Sequence, residues 1–185
     1  MDLDFTEEQD MLRNSARDFL STECDKATVR KIEESDEGYS PELWSKMAEL
    51  GWQGLMIPEE YDGMGMGLMD LVVVFEEIGL NVLPSPFLAT VVLGTLPIVE
   101  AGTEEQKKEI LPRVAAGEVI LTLALTEPSA GYSANCVELK AEDKGASFVL
   151  NGTKLFVEFA SASDYMVVVT RTKSGGNPED GITLF

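Results

Sequence analysis

Apolar positions recur every three to four residues through most of the first two-thirds of the chain, and hydrogen-bonding caps precede them. Thr6-Glu7-Glu8-Gln9 reads as a capping box ahead of Met11, Leu12, Ala16, Phe19 and Leu20. Ser40-Pro41 sets a capping hydroxyl and an N1 proline before Leu43, Trp44, Met47, Ala48 and Leu50, and Gly51 is placed to end that helix. Thr103-Glu104-Glu105-Gln106 repeats the box before Ile110, Leu111 and Val114. Two apolar stretches, 68–78 and 87–99, are too long for ordinary strands and predict buried helices.

Near Glu118 the pattern changes to short β-prone runs. These are 119–125, 148–150, 155–157, 166–169 and 181–185, with a Gly- and Pro-containing turn over 173–180. Asn151-Gly152, between two of the runs, predicts a type I′ hairpin. The expected fold is therefore α+β, with an all-α helical domain over 1–117 followed by a partial antiparallel β-sheet or barrel domain over 118–185. The last run stops without a turn or polar tail. The expectation is that the sheet belongs to something longer, the alternative being completion by another chain.

Composition narrows the possible partners. The formal net charge of -19 over 185 residues argues against nucleic acid and anionic membrane, both of which require a basic patch. The chain has no histidine, the commonest acid/base group and metal ligand, and its two cysteines, Cys24 and Cys136, lack metal-type spacing. No signal-like or membrane-length apolar segment is seen, so a cytoplasmic location with reduced thiols is expected.

Several motifs are explained without chemistry. Gly63-Met64-Gly65-Met66-Gly67 lacks the strand and lysine of a phosphate loop and reads as a flexible connection between helices. Asn151-Gly152-Thr153 matches a glycosylation acceptor, but the predicted turn accounts for it. The pairs Glu7-Glu8, Glu33-Glu34, Glu59-Glu60, Glu76-Glu77 and Glu104-Glu105 cannot form dyads, because adjacent residues do not share a helix face; they read as helix-start charges and solvated faces. The segment Leu125-Thr126-Glu127-Pro128-Ser129-Ala130-Gly131 is different. It sets amides and a hydroxyl at the end of a strand, which suits a phosphate or the polar edge of a planar heterocycle.

Four ordered stretches resemble the acyl-CoA dehydrogenase family. They are Phe5-Thr6-Glu7-Glu8-Gln9 with Arg17-Asp18-Phe19; Glu49-Leu50-Gly51-Trp52 through Pro58-Glu59-Glu60-Tyr61; Gly102-Thr103-Glu104-Glu105-Gln106-Lys107-Lys108 with Leu111-Pro112; and Leu125-Thr126-Glu127-Pro128 with Asn151-Gly152 and Lys154. The resemblance implies a helical domain, a middle β-domain and a C-terminal four-helix bundle, with FAD between the last two and usually a homo-oligomer, often a homotetramer. It implies oxidation of an acyl-CoA thioester at its α and β carbons, with electrons passed to an acceptor such as an electron-transfer flavoprotein.

Carried over by position, Thr126 would meet the pyrimidine edge of the flavin, with Leu125, Ser129, Ala130, Gly131 and Tyr132 along the same edge. Phe156 stands where the family usually has a tryptophan against the ring, flanked by Val157 and Glu158. Two departures stand out. Tyr132-Ser133 replaces the usual Ser-Asp pair after the glycine, whose serine the resemblance implies would contact cofactor phosphate or substrate, and Glu158 replaces a threonine that commonly bonds the flavin N5. A carboxylate there would disfavour the anionic reduced flavin unless protonated or turned away.

The family's glutamate base lies downstream of these motifs, so no catalytic residue is nominated, and the four-helix domain is expected to lie outside these residues. The chain alone is expected to be an inactive part of such an enzyme. The rival readings are a short non-catalytic subunit beside a full-length dehydrogenase, a flavin oxidase or monooxygenase of the same fold, and, last, an acidic interaction module.

Overall fold

The computed structural model describes residues 4–129, 131–173 and 175–185. The helical part contains α1 (Glu7–Glu23), α2 (Lys26–Glu33), α3 (Pro41–Glu49), α4 (Leu68–Asn81), a π-helical segment (Leu88–Gly94), α5 (Thr95–Ala101) and α6 (Glu104–Ala115). Both capping boxes form: the Thr6 and Thr103 hydroxyls accept from the amides of Gln9 and Gln106, whose side chains accept in return from the threonine amides. Each such cap is worth about 1 kcal/mol. Ser40 caps α3 through the amide of Leu43, and Gly51, at φ +78°, turns the chain out of it.

Leu20, Met47, Leu55 and Leu71 fill the main core around Trp52, which meets Phe19 and Phe87 edge-on at centroid distances of 5.3 and 6.4 Å. Each such aliphatic side chain, fully buried, contributes about 1.5–3 kcal/mol. A second cluster (Ile57, Leu111, Val114, Val119, Leu121) carries the packing from α6 into the first strand.

Two readings of the helical part need correction. The glycine-rich stretch is held rather than flexible: the amides of Met64, Gly65 and Met66 donate to the carbonyls of Gly54, Ile57 and Leu55. Those amides are consumed by the fold. Glu77 is also no solvated charge. Only 2% of its side chain is exposed, and it accepts two hydrogen bonds from the Arg17 guanidinium (2.7 and 3.2 Å) across the α1–α4 contact. Its neighbour Glu76 is exposed and pairs with Arg13, so the two do point apart, as adjacent helical residues must.

The β part contains β1 (Leu121–Ala124), β2 (Ala141–Asp143), β3 (Phe148–Leu150), β4 (Tyr165–Arg171) and β5 (Ile182–Leu184). The main sheet runs β1-β4-β5, and it is mixed rather than wholly antiparallel: β1 pairs with β4 in parallel, β4 with β5 antiparallel. About forty residues separate β1 from β4, ample for the crossover that parallel pairing requires. On its other edge β1 meets Thr90 of the π-helical segment. The buried Thr90 hydroxyl accepts from the Leu121 amide and donates to its carbonyl, both at 3.2 Å.

The expected Asn151-Gly152 hairpin does not form. β3 pairs backwards with β2, through a turn in which the Lys144 amide donates to the Ser147 carbonyl and Gly145 adopts φ +86°. Neither Asn151 nor Gly152 has the positive φ that a type I′ turn needs. Gly152 serves close approach instead: a Cβ there would stand 2.5 Å from Leu139 Cδ1. The run 155–157 is not a strand.

Candidate functional site

The two segments singled out from sequence lie side by side. Where β1 ends, the Thr126 carbonyl accepts from the Leu155 amide at 2.8 Å. Lys154 reaches back to donate to the Leu125 carbonyl at 3.0 Å and to Glu127 Oε1 at 2.7 Å. Glu127 also accepts from the amides of Glu138 (2.9 Å) and Leu139 (3.1 Å). Both side chains of this ion pair are only 7% exposed. Burial pushes the Glu127 carboxyl up, but Lys154 and the two amides outweigh it and hold it below the usual carboxylate range. At the far end of the second segment, Thr122 Oγ1 donates to the Glu158 carbonyl at 2.6 Å.

No local sequence pattern announces this clamp. Glu127 and Lys154 were visible only as members of the matching stretches, because sequence spacing cannot reveal a pair twenty-seven residues apart. Arg171 was missed as well. Its guanidinium donates to the carbonyls of Ala134, Val137, Pro178 and Asp180, tying the loop after Gly131 to the turn before β5.

The nominated residues fall into three groups. Leu125, Thr126, Phe156, Val157 and Glu158 belong to the clamped pair of segments. The Thr126 hydroxyl, half-buried, has no partner among the described residues. Phe156 is 86% exposed and adopts φ +54°, a left-handed conformation that costs a bulky residue about 1–2 kcal/mol. Val157 turns toward an apolar groove of about 540 Å³, lined also by Ala124, Leu139, Leu150 and Met166. Glu158 is exposed.

The second group, Ser129, Gly131 and Ser133, gathers around Cys136. Ser129 Oγ donates to the Cys136 carbonyl at 3.3 Å, and Ser133 Oγ lies 3.6 Å from Cys136 Sγ. A Cβ on Gly131 would stand 2.2 Å from the same sulfur. Among the described residues no hydrogen bond joins this group to Phe156, Val157 or Glu158. Tyr132, 82% exposed, projects from the same loop. The third group is Ala130 alone, which lies outside the described residues.

A helical unit docked on a small mixed sheet, with an exposed Phe156 ring and a Thr126 hydroxyl that has no partner among the described residues, defines an α+β protein. Comparison with known proteins is specific. The model of the acyl-CoA dehydrogenase N-terminal domain matches residues 6–118, and that of the acyl-CoA dehydrogenase middle domain matches residues 122–185. The chain belongs to the acyl-CoA dehydrogenase family.

It is 35% identical over 184 residues to a 3-(aryl)acrylate reductase of Clostridium sporogenes, covering 98% of this chain and 48% of that protein. To the mitochondrial isovaleryl-CoA dehydrogenase of Pongo abelii it is 33% identical, covering 97% and 43%. A crystal structure of a Bacillus anthracis acyl-CoA dehydrogenase complexed with FAD superimposes with a TM-score of 0.82 at 30% identity, over 98% of this chain and 31% of that one. The chain thus spans about half the length of the curated relatives it matches. Among the described residues no helix is long and apolar enough to cross a membrane.

Proposed function

We propose that this chain supplies the flavin-facing edge of an FAD-dependent oxidoreductase acting on acyl-CoA thioesters, with residues 1–117 as its helical domain and 118–185 as the cofactor-facing β-domain. The observation that carries the reading is the clamped pair of segments, which leaves the Thr126 hydroxyl without a partner among the described residues and the Phe156 ring in solvent. Left-handed backbone at a bulky residue such as Phe156 is costly, and strain of this kind clusters where a ligand is clamped. The residues fit a flavin: a flat heterocycle with a polar edge takes both the ring face and the hydroxyl.

In this reading FAD, when bound, supplies the hydride acceptor for loss of hydrogen from the α and β carbons of the thioester. The chain's own residues bind and orient. Thr126 donates to or accepts from the polar edge, Phe156 and Val157 cover the ring, and the amides of Ser129, Gly131 and Tyr132 offer donors along the 125–133 loop. Ser133 and Tyr132 face the substrate side. We assign no proton-abstracting residue to these 185 residues and expect no turnover from them alone. The partners that accompany the reading are an acyl-CoA substrate, an electron acceptor such as an electron-transferring flavoprotein, and further copies of the chain. A cytoplasmic location goes with them.

The test is titration of FAD with the protein, followed by quenching of flavin fluorescence. Wild type should quench saturably but weakly, losing its flavin on gel filtration. Phe156→Leu should weaken binding roughly twofold to tenfold, from loss of a ring contact. Thr126→Val should weaken it roughly fivefold, from one lost hydrogen bond. Quenching that never saturates, or that is the same in both variants, would overturn the assignment.

A further inference from the structure

The stretch that presents Phe156 is strained twice. Phe156 and Phe159 both adopt left-handed backbone, at φ +54° and +50°, three residues apart. Neither is a glycine or asparagine, so the conformation persists only if the surroundings over-determine it. On the inner side the restraints are those described: Leu155 bonds to Thr126, and Glu158 accepts from Thr122. Beyond Phe159 the chain turns sharply, with the amides of Ala162 and Ser163 both donating to the Phe159 carbonyl at 3.0 Å.

The outer restraint comes from the helical part. Tyr39, on the loop between α2 and α3, meets Phe159 edge to face, with ring centroids 6.5 Å apart and planes at 86°. Tyr39 is half-buried against the main helical core, so it is itself held. Gly38 precedes it at φ +69°, where the left-handed turn favours glycine and brings the loop beside the Phe159 ring. The Tyr39 hydroxyl has no hydrogen-bond partner among the described residues, so the ring makes the contact.

We propose that Tyr39 is a positioning residue for the cofactor-facing turn. Through Phe159, itself in left-handed backbone, it holds the 156–159 turn in the path that keeps the left-handed Phe156 and its ring outward. The helical domain thereby sets the geometry of a surface that the β-domain presents. The inference rests on the flavin reading above for its purpose, but not for its geometry.

Amide hydrogen exchange of the flavin-free protein tests the hold directly. Tyr39→Leu should speed exchange at Ala162 and Ser163 by roughly twofold to tenfold, the equivalent of one aromatic contact, and leave α1 and α4 unchanged. Tyr39→Phe should exchange like wild type. Phe159→Leu should match Tyr39→Leu, and the double variant should add nothing. In the FAD titration, Tyr39→Leu should lose affinity by a similar factor, and Tyr39→Phe should retain it.

Unchanged exchange at Ala162 and Ser163 in Tyr39→Leu overturns the proposal. So does faster exchange spread evenly through the helical core, which would mean a merely structural role. The expected exchange pattern with no saturable flavin binding by wild type would support the hold on the turn and sink the flavin reading instead.

Discussion

Lys154 Nζ lies 2.7 Å from Glu127 Oε1, with both side chains nearly out of solvent, and this pair joins the end of β1 to the segment carrying Phe156. Removing one partner of a buried pair leaves an uncompensated charge, which costs about 3–5 kcal/mol. Lys154→Met should therefore lower stability by about 3 kcal/mol in urea unfolding. Lys154→Met combined with Glu127→Gln should cost less than the sum of the two single changes. Additive losses would mean that the pair is not coupled.

The same pair makes stability fall in acid. The Glu127 carboxyl is held below its ordinary value in the folded chain, so the ionised form is favoured by folding. Its contribution is present above the unfolded carboxylate range, near pH 4.3. It is lost as pH falls through the lower folded value. The stability gap between wild type and Glu127→Gln should be full at neutral pH and close below about pH 4. A gap that persists unchanged into strong acid would assign it to packing.

Tyr61 provides a signal at the alkaline end. Its hydroxyl donates to Glu104 Oε2 at 2.9 Å. That hydrogen bond, with burial and the negative charge of Glu104, pushes its pKa up to about 12. Folding favours the protonated phenol, so this contribution is whole below the unfolded tyrosine value and disappears as pH rises toward about 12. In an ultraviolet titration, Tyr61→Phe should delete a late-titrating tyrosine from the four in the chain. Loss of an early one instead would contradict the assignment.

Across the α1–α4 contact the two partners should be unequal. Glu77 is buried, whereas about half of the Arg17 side chain is exposed. Arg17→Met strands a buried carboxylate and should cost about 2 kcal/mol, more than Glu77→Gln, which leaves a solvated cation. Equal losses in chemical unfolding would show that Arg17 does little for the buried charge.

Phe156 should trade stability against binding. Asparagine tolerates left-handed backbone better than phenylalanine, and the exposed ring contributes little burial. Phe156→Asn should leave stability equal or raise it by up to about 1 kcal/mol while abolishing saturable flavin quenching. A clear loss of stability would mean that the ring packs usefully in the unliganded protein.

Local signals carried far in this chain. Thr6, Thr103, Ser40 and Gly51 announce helix ends through hydrogen bonds spanning three or four residues, so their geometry was legible without any tertiary contact. The turn residues misled where the competing choice was long-range. Asn151-Gly152 satisfies a hairpin rule, but β3 already has β2 as its partner, and Gly152 is needed beside Leu139. Glu76-Glu77 reads as two solvated charges until α1 brings Arg17 across from sixty residues away.

The amino-acid sequence by itself determined the helical punctuation, the change to β-prone runs near Glu118, and the two segments at the candidate site, because each depends on residue types close along the chain. Only the tertiary structure decided the parallel pairing of β1 with β4, the burial of Glu127 against Lys154, and the approach of Tyr39 to Phe159. Those relationships join residues far apart in sequence. Their energies come from excluding water and pairing charges in space, which no local pattern encodes.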